Sequence, residues 1–384
     1  MALAFDREEY DRRRDAVLAE MKARDLDALL LFAPESHYWL TGYDTFGYCF
    51  FQCLILMKDG RFVLLTRLPD MRQARHTSLI EDIRVWSDEA GGNRTKRLKD
   101  LLFDLDLLGA KLGVETNTHG LTAAHGKALD EALQSFAAAA DVSDLVPTLR
   151  AVKSPAEIAC VRKAASLADA AWEAGMAEIR PGADEGRILA AMQGAVFEGG
   201  GDYPGNSFII GSGEDALLCR YKSGRRTLSE QDQLTLEFAG AYRHYHAAMM
   251  ATLTIGPATD RHRELFDVAS SALSRVEGAM QPGSTFSDVF DAHARVVDGA
   301  GLQPARMNAC GYSLGARYAP SWMDPPMFYR GNKTAIRPNM VLFAHMILMD
   351  DTTGTAMTLG RSYITTDDAP EPLSKVPVSL VEVT

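Results

Sequence analysis

The segment 234–256, LTLEFAGAYRHYHAAMMATLTIG, places one carboxylate inside an apolar run. Glu237 lies between Leu236 and Phe238, in a stretch whose composition is typical of a buried strand. Burial disfavours an ionised carboxylate, so its pKa should rise, which suits a general acid or base or a nucleophile toward an amide or amidine carbon. The alternative is a structural carboxylate in an ion pair with Arg or Lys. In both cases we expect Glu237 to point into a central cavity.

Two histidines follow Glu237 on the same segment. His244 and His246 would share one face if the chain is extended there, with Tyr245 on the other. A neutral imidazole near Glu237 could relay a proton to a leaving nitrogen, and we assign this role to His246. The alternative is a hydrogen-bonded structural histidine, which is our interpretation of His244.

The elements that must position these residues begin with a mixed α/β region. Residues 8–24 have helical periodicity and lead into the short apolar run ALLLFA at 28–33. The run LILMKDGRFVLLT (54–66) predicts a hairpin, because an Asp-Gly turn dipeptide separates two apolar stretches. Helix and strand patterns continue beyond it, so we predict a first domain over residues 1–148.

A long helix begins the second domain. Ser154 has the position of an N-cap, Pro155 is the first helical residue, and Glu157 lies three residues after the cap. This start predicts a domain boundary within 147–153. Over 153–384, amphipathic helices alternate with β-rich runs, so we predict an α+β domain; the helices are at about 184–198 and 260–279, and the β-rich runs at 206–211, 234–238, 250–255, 340–349 and 361–366.

Composition limits the classes of function. The chain has 384 residues, 47% hydrophobic and 24% charged, which is enough to bury a large core in two domains. Its formal net charge is -11 and no block of Lys or Arg stands out, which argues against nucleic acid and anionic membranes and favours a small-molecule partner. Five scattered cysteines and the lack of a secretory apolar region favour a cytoplasmic protein.

Three motifs and the domain junction carry a family resemblance: WLTGYD (39–44), the LE-x-AG segment with its YH (236–246), GYSLG followed by a Pro-Ser-Trp run (311–322), and LRAVKSPAEIACVRKAA. With this two-part plan the chain resembles the creatinase/aminopeptidase P family over nearly its whole length. The resemblance implies an α+β fold, with an α/β creatinase-type N-terminal domain followed by a pita-bread domain. The three motifs are most similar to the metal-free branch that contains ectoine hydrolase and creatinase.

Peptidases of this family hold two divalent metals with two Asp, one His and two Glu, which activate a bridging water. At these positions the resemblance places Glu237, Ala248, Tyr312, His345 and Gly360. Ala and Gly cannot ligate a metal through their side chains, and Tyr is an uncommon ligand for Zn, Mn or Co. We therefore expect no metal cofactor.

The residues that replace the ligands retain chemistry of their own. Glu237, Tyr312 and His345 can move protons, and Glu237 can attack carbon, so the pocket is interpreted as one rewritten for metal-free catalysis. Creatinase is the family's precedent for this. The alternative is a degenerate relative without activity.

Further residues are candidates for substrate binding. By the resemblance, Arg220 occupies a loop position where many relatives carry a substrate-facing His, and a guanidinium there could bind a carboxylate bidentately. Arg317 carries the same proposal, and Trp322 closes the Pro-Ser-Trp run. Tyr43 and Phe46 could form a cation–π wall for a positively charged substrate, since aromatic faces attract cations. By the resemblance, the first domain often completes a partner subunit's pocket, which would bring these two side chains to a substrate. The alternatives are rim residues for the arginines and ordinary core for the aromatics.

Together these observations predict a metal-independent hydrolase of a C–N bond in a small zwitterionic amidine, guanidine or amide, similar to ectoine or creatine. The predicted catalytic residues are Glu237, His345, Tyr312 and His246. Two alternatives stay open: a metal-dependent Xaa-Pro-type peptidase or lyase of the same fold, and a catalytically silent solute-binding protein. The resemblance also implies a homodimer.

Overall fold

The computed structural model describes residues 3–90, 92–220 and 225–384. The chain divides into two compact units, Met1–Arg150 and Ala151–Thr384, here called the N-terminal and C-terminal domains. The division lies inside the boundary region 147–153 that the sequence predicts. Among the described residues, no helix combines the length and the hydrophobicity that a membrane span requires.

The N-terminal domain is a six-stranded sheet with strand order β4-β3-β2-β1-β5-β6. Its helices are α1 Arg7–Ala23, α2 Pro34–Thr41, α3 Met71–Thr77, α4 Arg94–Asp104, α5 Ala123–Leu133 and α6 Leu145–Arg150. Its strands are β1 Ala28–Leu31, β2 Cys53–Met57, β3 Phe62–Arg67, β4 Asp82–Trp86, β5 Lys111–Val114 and β6 Ala138–Asp141. Strand β2 is antiparallel to both β1 and β3, and the other neighbouring strands are parallel.

Helices cover both faces of this sheet, which explains the continuous apolar run of β1. Ala28 and Leu30 pack in a core that contains residues of α4 and α5, whereas Leu29 and Leu31 pack with residues of α1, α2, α3 and α6. A strand that is buried on both faces has no polar face to alternate with. The predicted helix, apolar strand and hairpin are all confirmed.

The C-terminal domain has four α-helices among its described residues: α7 Pro155–Glu178, α8 Glu185–Glu198, α9 Asp260–Ala279 and α10 Phe286–Gly299. Its strands are β7 Ile209–Ser212, β8 Asp232–Tyr242, β9 Tyr245–Ile255, β10 Ala309–Ser313, β11 Asp324–Tyr329, β12 Val341–Asp350, β13 Thr355–Ile364, β14 Glu371–Pro372 and β15 Glu382–Val383. The sheet has the order β11-β10-β12-β13-β9-β8-β7, with β14 beside β13 and β15 beside β9. Short 3-10 helices lie at Gly47–Cys49 and Leu68–Asp70 in the first domain and at Gly213–Leu217 and Gln303–Ala305 in the second.

Helix α7 begins as the sequence predicts and packs directly on the sheet. The Ser154 side chain accepts a hydrogen bond from the backbone N–H of Glu157, whose carboxylate accepts from the N–H of Ser154, which completes a capping box. At Gly240 a Cβ atom would lie 2.0 Å from the carbonyl oxygen of Ala164 in α7. Glycine is therefore required for the helix to approach β8 this closely.

Several features of the C-terminal domain differ from the prediction. Strands β8 and β9 are 11 residues each, longer than the runs 234–238 and 250–255, and they meet at a two-residue turn. Arg243 and His244 form this turn with left-handed φ values of 49° and 63°. Turns of this kind usually carry Gly, Asn or Asp, so an Arg-His pair does not predict one. Strands β10 and β11 and helix α10 lie outside the predicted elements, although Thr285 caps α10.

One face of the C-terminal sheet carries the helices. Phe238 stacks on Trp172 of α7, and Leu342 and Ala344 pack in a core that contains residues of α9 and α10. Side chains alternate between the two faces of a strand. Residues one position away, such as Glu237, therefore point to the opposite face.

Candidate active site

Four strands bring three predicted positions and Met250 into one row across the sheet. Glu237 of β8 pairs with Met250 of β9, Met250 pairs with Gly360 of β13, and Gly360 pairs with His345 of β12. Directly paired residues on antiparallel strands share a face of the sheet. The four residues thus lie on the face opposite the helices, and Ala248, two positions before Met250, lies there too.

Glu237 is held by a short chain of hydrogen bonds. The hydroxyl of Tyr312 donates to Oε1 of Glu237 at 3.3 Å, and the same oxygen of Tyr312 accepts from Nε1 of Trp322 at 2.9 Å. An indole N–H can only donate, so the proton of the phenol is directed to the carboxylate. This contact does not use the second carboxylate oxygen of Glu237, which can therefore serve a water or a substrate.

Burial gives Glu237 an unusual acidity. Desolvation raises the pKa of Glu237 to about 7, although the charge of Arg220 and the Tyr312 hydrogen bond act to lower it. Burial also raises the pKa of Tyr312 well above its ordinary value, so the phenol stays protonated. A carboxylate that exchanges its proton near neutral pH is suited to general acid–base catalysis.

His345 lies on the same face and contacts the aromatic part of the site. Its ring centroid is 5.6 Å from that of Tyr312 and 5.6 Å from that of Phe343. Burial, with a smaller contribution from His293, lowers the pKa of His345 to about 3, so the imidazole is neutral. Its Nδ1 atom is buried and has no hydrogen-bond partner in the described part of the chain. The structure brings His345 to Tyr312, and its part in proton transfer stays a prediction.

The turn between β8 and β9 separates the two histidines that were expected to share a face. His244 lies in the left-handed turn and His246 in β9, so the segment is not extended at His244 and the condition for a shared face is not met. His246 is fully buried; its Nε2 accepts from the N–H of Gly205 at 2.8 Å, and its Nδ1 lies 3.4 Å from the carbonyl oxygen of Gly315. Backbone groups engage both ring nitrogens, and this geometry does not favour the predicted role of His246 in proton transfer.

A cavity of about 300 Å³ lies beside strand β7. Its lining includes residues 204–207, residues 319–320, Ile209 and Arg220. Ile209 is the register partner of Glu237, and the charge of Arg220 acts on the Glu237 carboxylate. Arg220 is exposed at this cavity. The structure thus brings this predicted substrate-binding residue to the predicted catalytic carboxylate.

Two other predicted substrate contacts lie close in the chain to the lining residues Ala319 and Pro320. Nη1 of Arg317 lies 3.4 Å from Oδ1 of Asp324, and its Nε lies 3.4 Å from the carbonyl oxygen of Ser321. Trp322 is 1% exposed, and its N–H is used by Tyr312. The expectation that Trp322 contacts substrate is therefore corrected, because its burial leaves no surface for such a contact; the role of Arg317 stays a prediction.

The candidates in the N-terminal domain have opposite exposures. Tyr43 is 1% exposed in a hydrophobic core of that domain, where its hydroxyl lies 3.4 Å from Oε1 of Gln52. A substrate cannot reach a side chain at that depth, so the structure corrects the expectation that Tyr43 lines the pocket. Phe46 is 76% exposed, and its role as a substrate contact stays a prediction.

Comparison with known proteins assigns both domains. Residues 159–366 match metallopeptidase family M24, and residues 13–152 match the creatinase/prolidase N-terminal domain. The first match spans more than half of the chain and includes Glu237, Tyr312 and His345. The chain belongs to metallopeptidase family M24. This confirms the predicted resemblance and the two-part fold, and it places the chain in a family of hydrolases.

Relatives within M24 include proteins of different names. The chain is 27% identical over 400 residues to ectoine hydrolase of Halomonas elongata, which covers 99% of this chain and 98% of that protein. It is 29% identical over 354 residues to an uncharacterized hydrolase/peptidase, y4tL, of Sinorhizobium fredii, which covers 90% of this chain and 88% of that protein.

Solved structures of other proteins share the fold. Recombinant prolidase of Thermococcus sibiricus superposes with a TM-score of 0.87 at 17% identity, and the match covers 97% of this chain and 99% of the prolidase chain. Dipeptidase PepE of Mycobacterium ulcerans has a TM-score of 0.85 at 22% identity and covers 99% of both chains. At these identities the likeness establishes the architecture and leaves the substrate open.

The residues of this M24 domain do not fit the two-metal centre that the family name implies. Ala248 and Gly360 offer no side-chain ligand. A Cβ atom at Gly360 would lie 2.6 Å from Cζ of Phe343 and 2.7 Å from Cβ of Met250, so these side chains occupy the space that a longer residue would need. Across residues 3–90, 92–220 and 225–384, no three His, Cys, Asp or Glu side chains are grouped closely enough to hold a metal ion.

Sequence reasoning missed three residues of this face. Phe343 packs against Tyr312 and His345, and Met250 separates Glu237 from Gly360. Ser362 is the third: its Oγ accepts from the N–H of Ala248 at 2.9 Å and donates to the carbonyl of Ala248 at 2.8 Å. Each lies two positions from a predicted residue on the same strand, so the two-residue period of a strand was the signal that could have found them.

A larger cavity of about 740 Å³ lies elsewhere in the C-terminal domain. It is formed by the 162–173 part of α7 and by residues 371–377. Its lining contains none of the predicted site residues. The smaller cavity beside Glu237 is therefore the candidate active site.

Proposed function

We propose that this M24 chain is a metal-independent hydrolase of a C–N bond in a small zwitterionic amidine, guanidine or amide. The observation that carries the proposal is Glu237: a buried carboxylate with a pKa of about 7, hydrogen-bonded by Tyr312 and adjacent to a cavity with a cationic rim. Such a group can take a proton and return it within one catalytic cycle at neutral pH.

For an amidine the reaction consumes one water and yields an amide and an amine. As a general base, ionised Glu237 takes a proton from water while the oxygen adds to the amidine carbon. The C–N bond then breaks, and the leaving nitrogen receives the proton from the Glu237 carboxyl. Tyr312 stabilises the ionised carboxylate through its hydrogen bond at 3.3 Å, and neutral His345 assists proton transfer.

In the second version of this mechanism Glu237 is the nucleophile. Its oxygen attacks the substrate carbon and forms a covalent intermediate, which water then hydrolyses. Single turnover in H₂¹⁸O tests the nucleophilic version. Water that attacks the carboxyl carbon of the intermediate puts ¹⁸O into the Glu237 carboxylate, an outcome that only a nucleophilic Glu237 allows. A Glu237 that stays a base throughout takes none.

The substrate class follows from the size and charge of the cavity. A volume of about 300 Å³ is at the small end for ligand sites. Arg220 at its rim is suited to a substrate carboxylate, and Glu237 is suited to the cationic amidine or guanidine group of the same molecule. The relative named ectoine hydrolase supports this class, since it matches the chain over nearly its full length. We place the enzyme in the cytoplasm as a homodimer.

Metal independence is supported by the donor set. Of the five ligand positions only Glu237 keeps a carboxylate, and the Gly360 position is filled by Phe343. We expect activity to survive dialysis against a chelator, and elemental analysis of the purified protein to find less than one metal per chain. Two tightly bound metals per chain, with activity lost on their removal, would instead establish a metallopeptidase or lyase.

The test is a product assay by mass spectrometry with ectoine, hydroxyectoine, creatine and Xaa-Pro dipeptides, each with and without chelator. We expect turnover of a zwitterionic solute by the wild type and none by Glu237→Gln. The matched control is Glu230→Gln, an exposed glutamate of the same domain, which should keep wild-type activity. Full activity of Glu237→Gln refutes the mechanism. Thermal stabilisation by a solute without any product supports the silent binding protein instead.

A further inference from the structure

We propose that His246 is a positioning residue that joins the two walls of the cavity and so sets substrate affinity. Each wall is a segment of the chain that carries lining residues. The first wall is residues 202–207, of which 204–207 line the cavity, and the second is residues 315–322, of which Ala319 and Pro320 line it. The expected change in substrate affinity rests on the proposed function, whereas the expected change in the order of the two walls does not.

The imidazole of His246 bridges the two walls directly. Its Nε2 accepts from the N–H of Gly205 in the first wall at 2.8 Å, and its Nδ1 lies 3.4 Å from the carbonyl oxygen of Gly315 in the second. An Nε2 that accepts a hydrogen bond carries no proton. The ring proton is therefore on Nδ1, where it faces the Gly315 carbonyl. Each ring nitrogen thus contacts a backbone group of one wall.

The walls also touch each other at the point where His246 holds them. A Cβ atom at Gly205 would lie 3.0 Å from the carbonyl carbon and oxygen of Ser321 and 3.1 Å from the backbone nitrogen of Trp322. This is backbone against backbone, with no flexible side chain to move aside. The hydrogen bond from Gly205 to His246 therefore fixes the first wall against the second.

The neighbouring turn connects the same two walls a second time. The N–H of His244 donates to Oδ2 of Asp202 at 3.0 Å, and its carbonyl accepts from the N–H of Arg317 at 2.9 Å. The ring of His244 also stacks on Tyr318, with centroids 4.2 Å apart. A non-glycine residue is held here in a left-handed conformation. Several contacts with both walls offset the cost of that conformation.

The position of the second wall reaches Glu237 through Trp322. This residue ends the wall, its indole lies near His246 with centroids 6.3 Å apart, and its N–H donates to Tyr312, which in turn donates to Glu237. A displaced second wall would therefore change both the shape of the cavity and the hydrogen bond that holds the carboxylate. His246 acts through these groups, so it needs no contact with the substrate.

The test compares His246→Leu with His246→Gln. Leucine removes both ring nitrogens, whereas the amide of glutamine can still accept from Gly205. For His246→Leu we expect KM to rise about 10-fold or more, the loss expected when a buried N–H is left without its acceptor. For His246→Gln we expect KM within a few-fold of wild type and kcat nearly unchanged. A proton-transferring His246 predicts the reverse: kcat falls in both variants, and glutamine does not rescue it.

A second readout needs no activity, so it separates this inference from the proposed function. Hydrogen–deuterium exchange of peptides covering 202–207 and 315–322 should be faster in His246→Leu and near wild type in His246→Gln. The matched control is His119→Leu, an exposed histidine of the N-terminal domain, which should leave both peptides unchanged. Wild-type protection of both walls in His246→Leu overturns the inference, whatever the substrate proves to be.

If His246→Leu fails to fold, the wild type and the glutamine variant still decide the question. In ¹⁵N-histidine-labelled wild-type protein, the Nε2 of His246 should show the shift of an unprotonated nitrogen and Nδ1 that of a protonated one. The opposite tautomer would contradict the bridge. A glutamine variant whose walls exchange as fast as denatured chain would contradict it as well.

Discussion

The acidity of Glu237 predicts a change of stability with pH that one substitution should remove. Glu237→Gln keeps the size of the side chain and an oxygen that can accept from Tyr312. It removes the only feature that titrates, the carboxyl proton. The comparison between the two proteins therefore isolates the cost of ionising a buried carboxylate.

The sign and size follow from the pKa of the folded protein. Burial raises the pKa of Glu237 to about 7 from an ordinary value of 4.5, so the fold favours the protonated form. This contribution to stability is fully present below pH 4.5 and is lost as the pH rises through 7. At 1.36 kcal/mol per pKa unit, the loss amounts to about 3 kcal/mol. The glutamine variant does not undergo it, so relative to the wild type it should gain about 3 kcal/mol between pH 4.5 and pH 8.

The assay must report the unfolding of the C-terminal domain separately from that of the N-terminal domain. Cys310 is a buried thiol of the C-terminal core, so its labelling by methyl methanethiosulfonate in increasing urea follows that domain. Peptide mass spectrometry gives the labelled fraction at pH 5, 6, 7 and 8 for the wild type and Glu237→Gln. Glu230→Gln, which changes an exposed glutamate, controls for the loss of one negative charge.

Two results would contradict a Glu237 that titrates near pH 7. If the difference in unfolding free energy between the wild type and Glu237→Gln stays constant within about 0.5 kcal/mol from pH 5 to pH 8, Glu237 does not titrate near neutrality in the fold. A difference that grows toward low pH instead would mean that an ion pair lowers the pKa of Glu237. That outcome would restore the structural interpretation of this carboxylate.

Three further predictions follow from the same contacts. In the wild type we expect kcat/KM to rise with pH with a midpoint near 7. Tyr312→Phe removes a hydrogen bond that stabilises ionised Glu237, so this midpoint should move to higher pH. An unchanged midpoint would contradict the contact. Arg220→Gln should raise KM about 10-fold or more for a substrate with a carboxylate but little for its amide analogue, and equal effects on both would rule out a carboxylate contact. Gly360→Ala forces a Cβ atom against the ring of Phe343 and should destabilise the domain by about 1–3 kcal/mol in urea unfolding. Adding Phe343→Leu should recover part of that loss, and no recovery would show that the ring does not cause the clash.

Local patterns in the sequence predicted many elements because their causes are local. The capping box at Ser154 and the Asp-Gly hairpin each depend on residues within a few positions of one another. The continuous apolar run at Ala28–Leu31 likewise marks a strand with helices on both faces. The turn at Arg243 and His244 was not predicted, because it contains no glycine. Contacts with distant residues such as Asp202 and Arg317 stabilise it instead.

The candidate site also has features that the sequence predicted and features that became known only from the structure. The sequence, with the resemblance it carries, determined that one carboxylate remains where the family has five ligands, and that Glu237 lies in an apolar strand where its acidity should change. Glu237, Tyr312, His345 and Arg220 were then found together. Their roles remain predictions that the experiments above address.

Residue chemistry and the two-residue period of a strand are local properties, so they could be predicted from the sequence. Exposure and hydrogen-bond partners depend on the packing of distant segments, so they became known only from the fold. Tyr43 and Trp322 are aromatic side chains of the kind that line pockets, yet both are buried, because the packing of distant segments sets exposure. His246 has a side chain that can transfer protons, yet residues 41 and 69 positions away in the chain occupy its two nitrogens. No local pattern encodes such partners, because the fold brings them together only after the strands have paired.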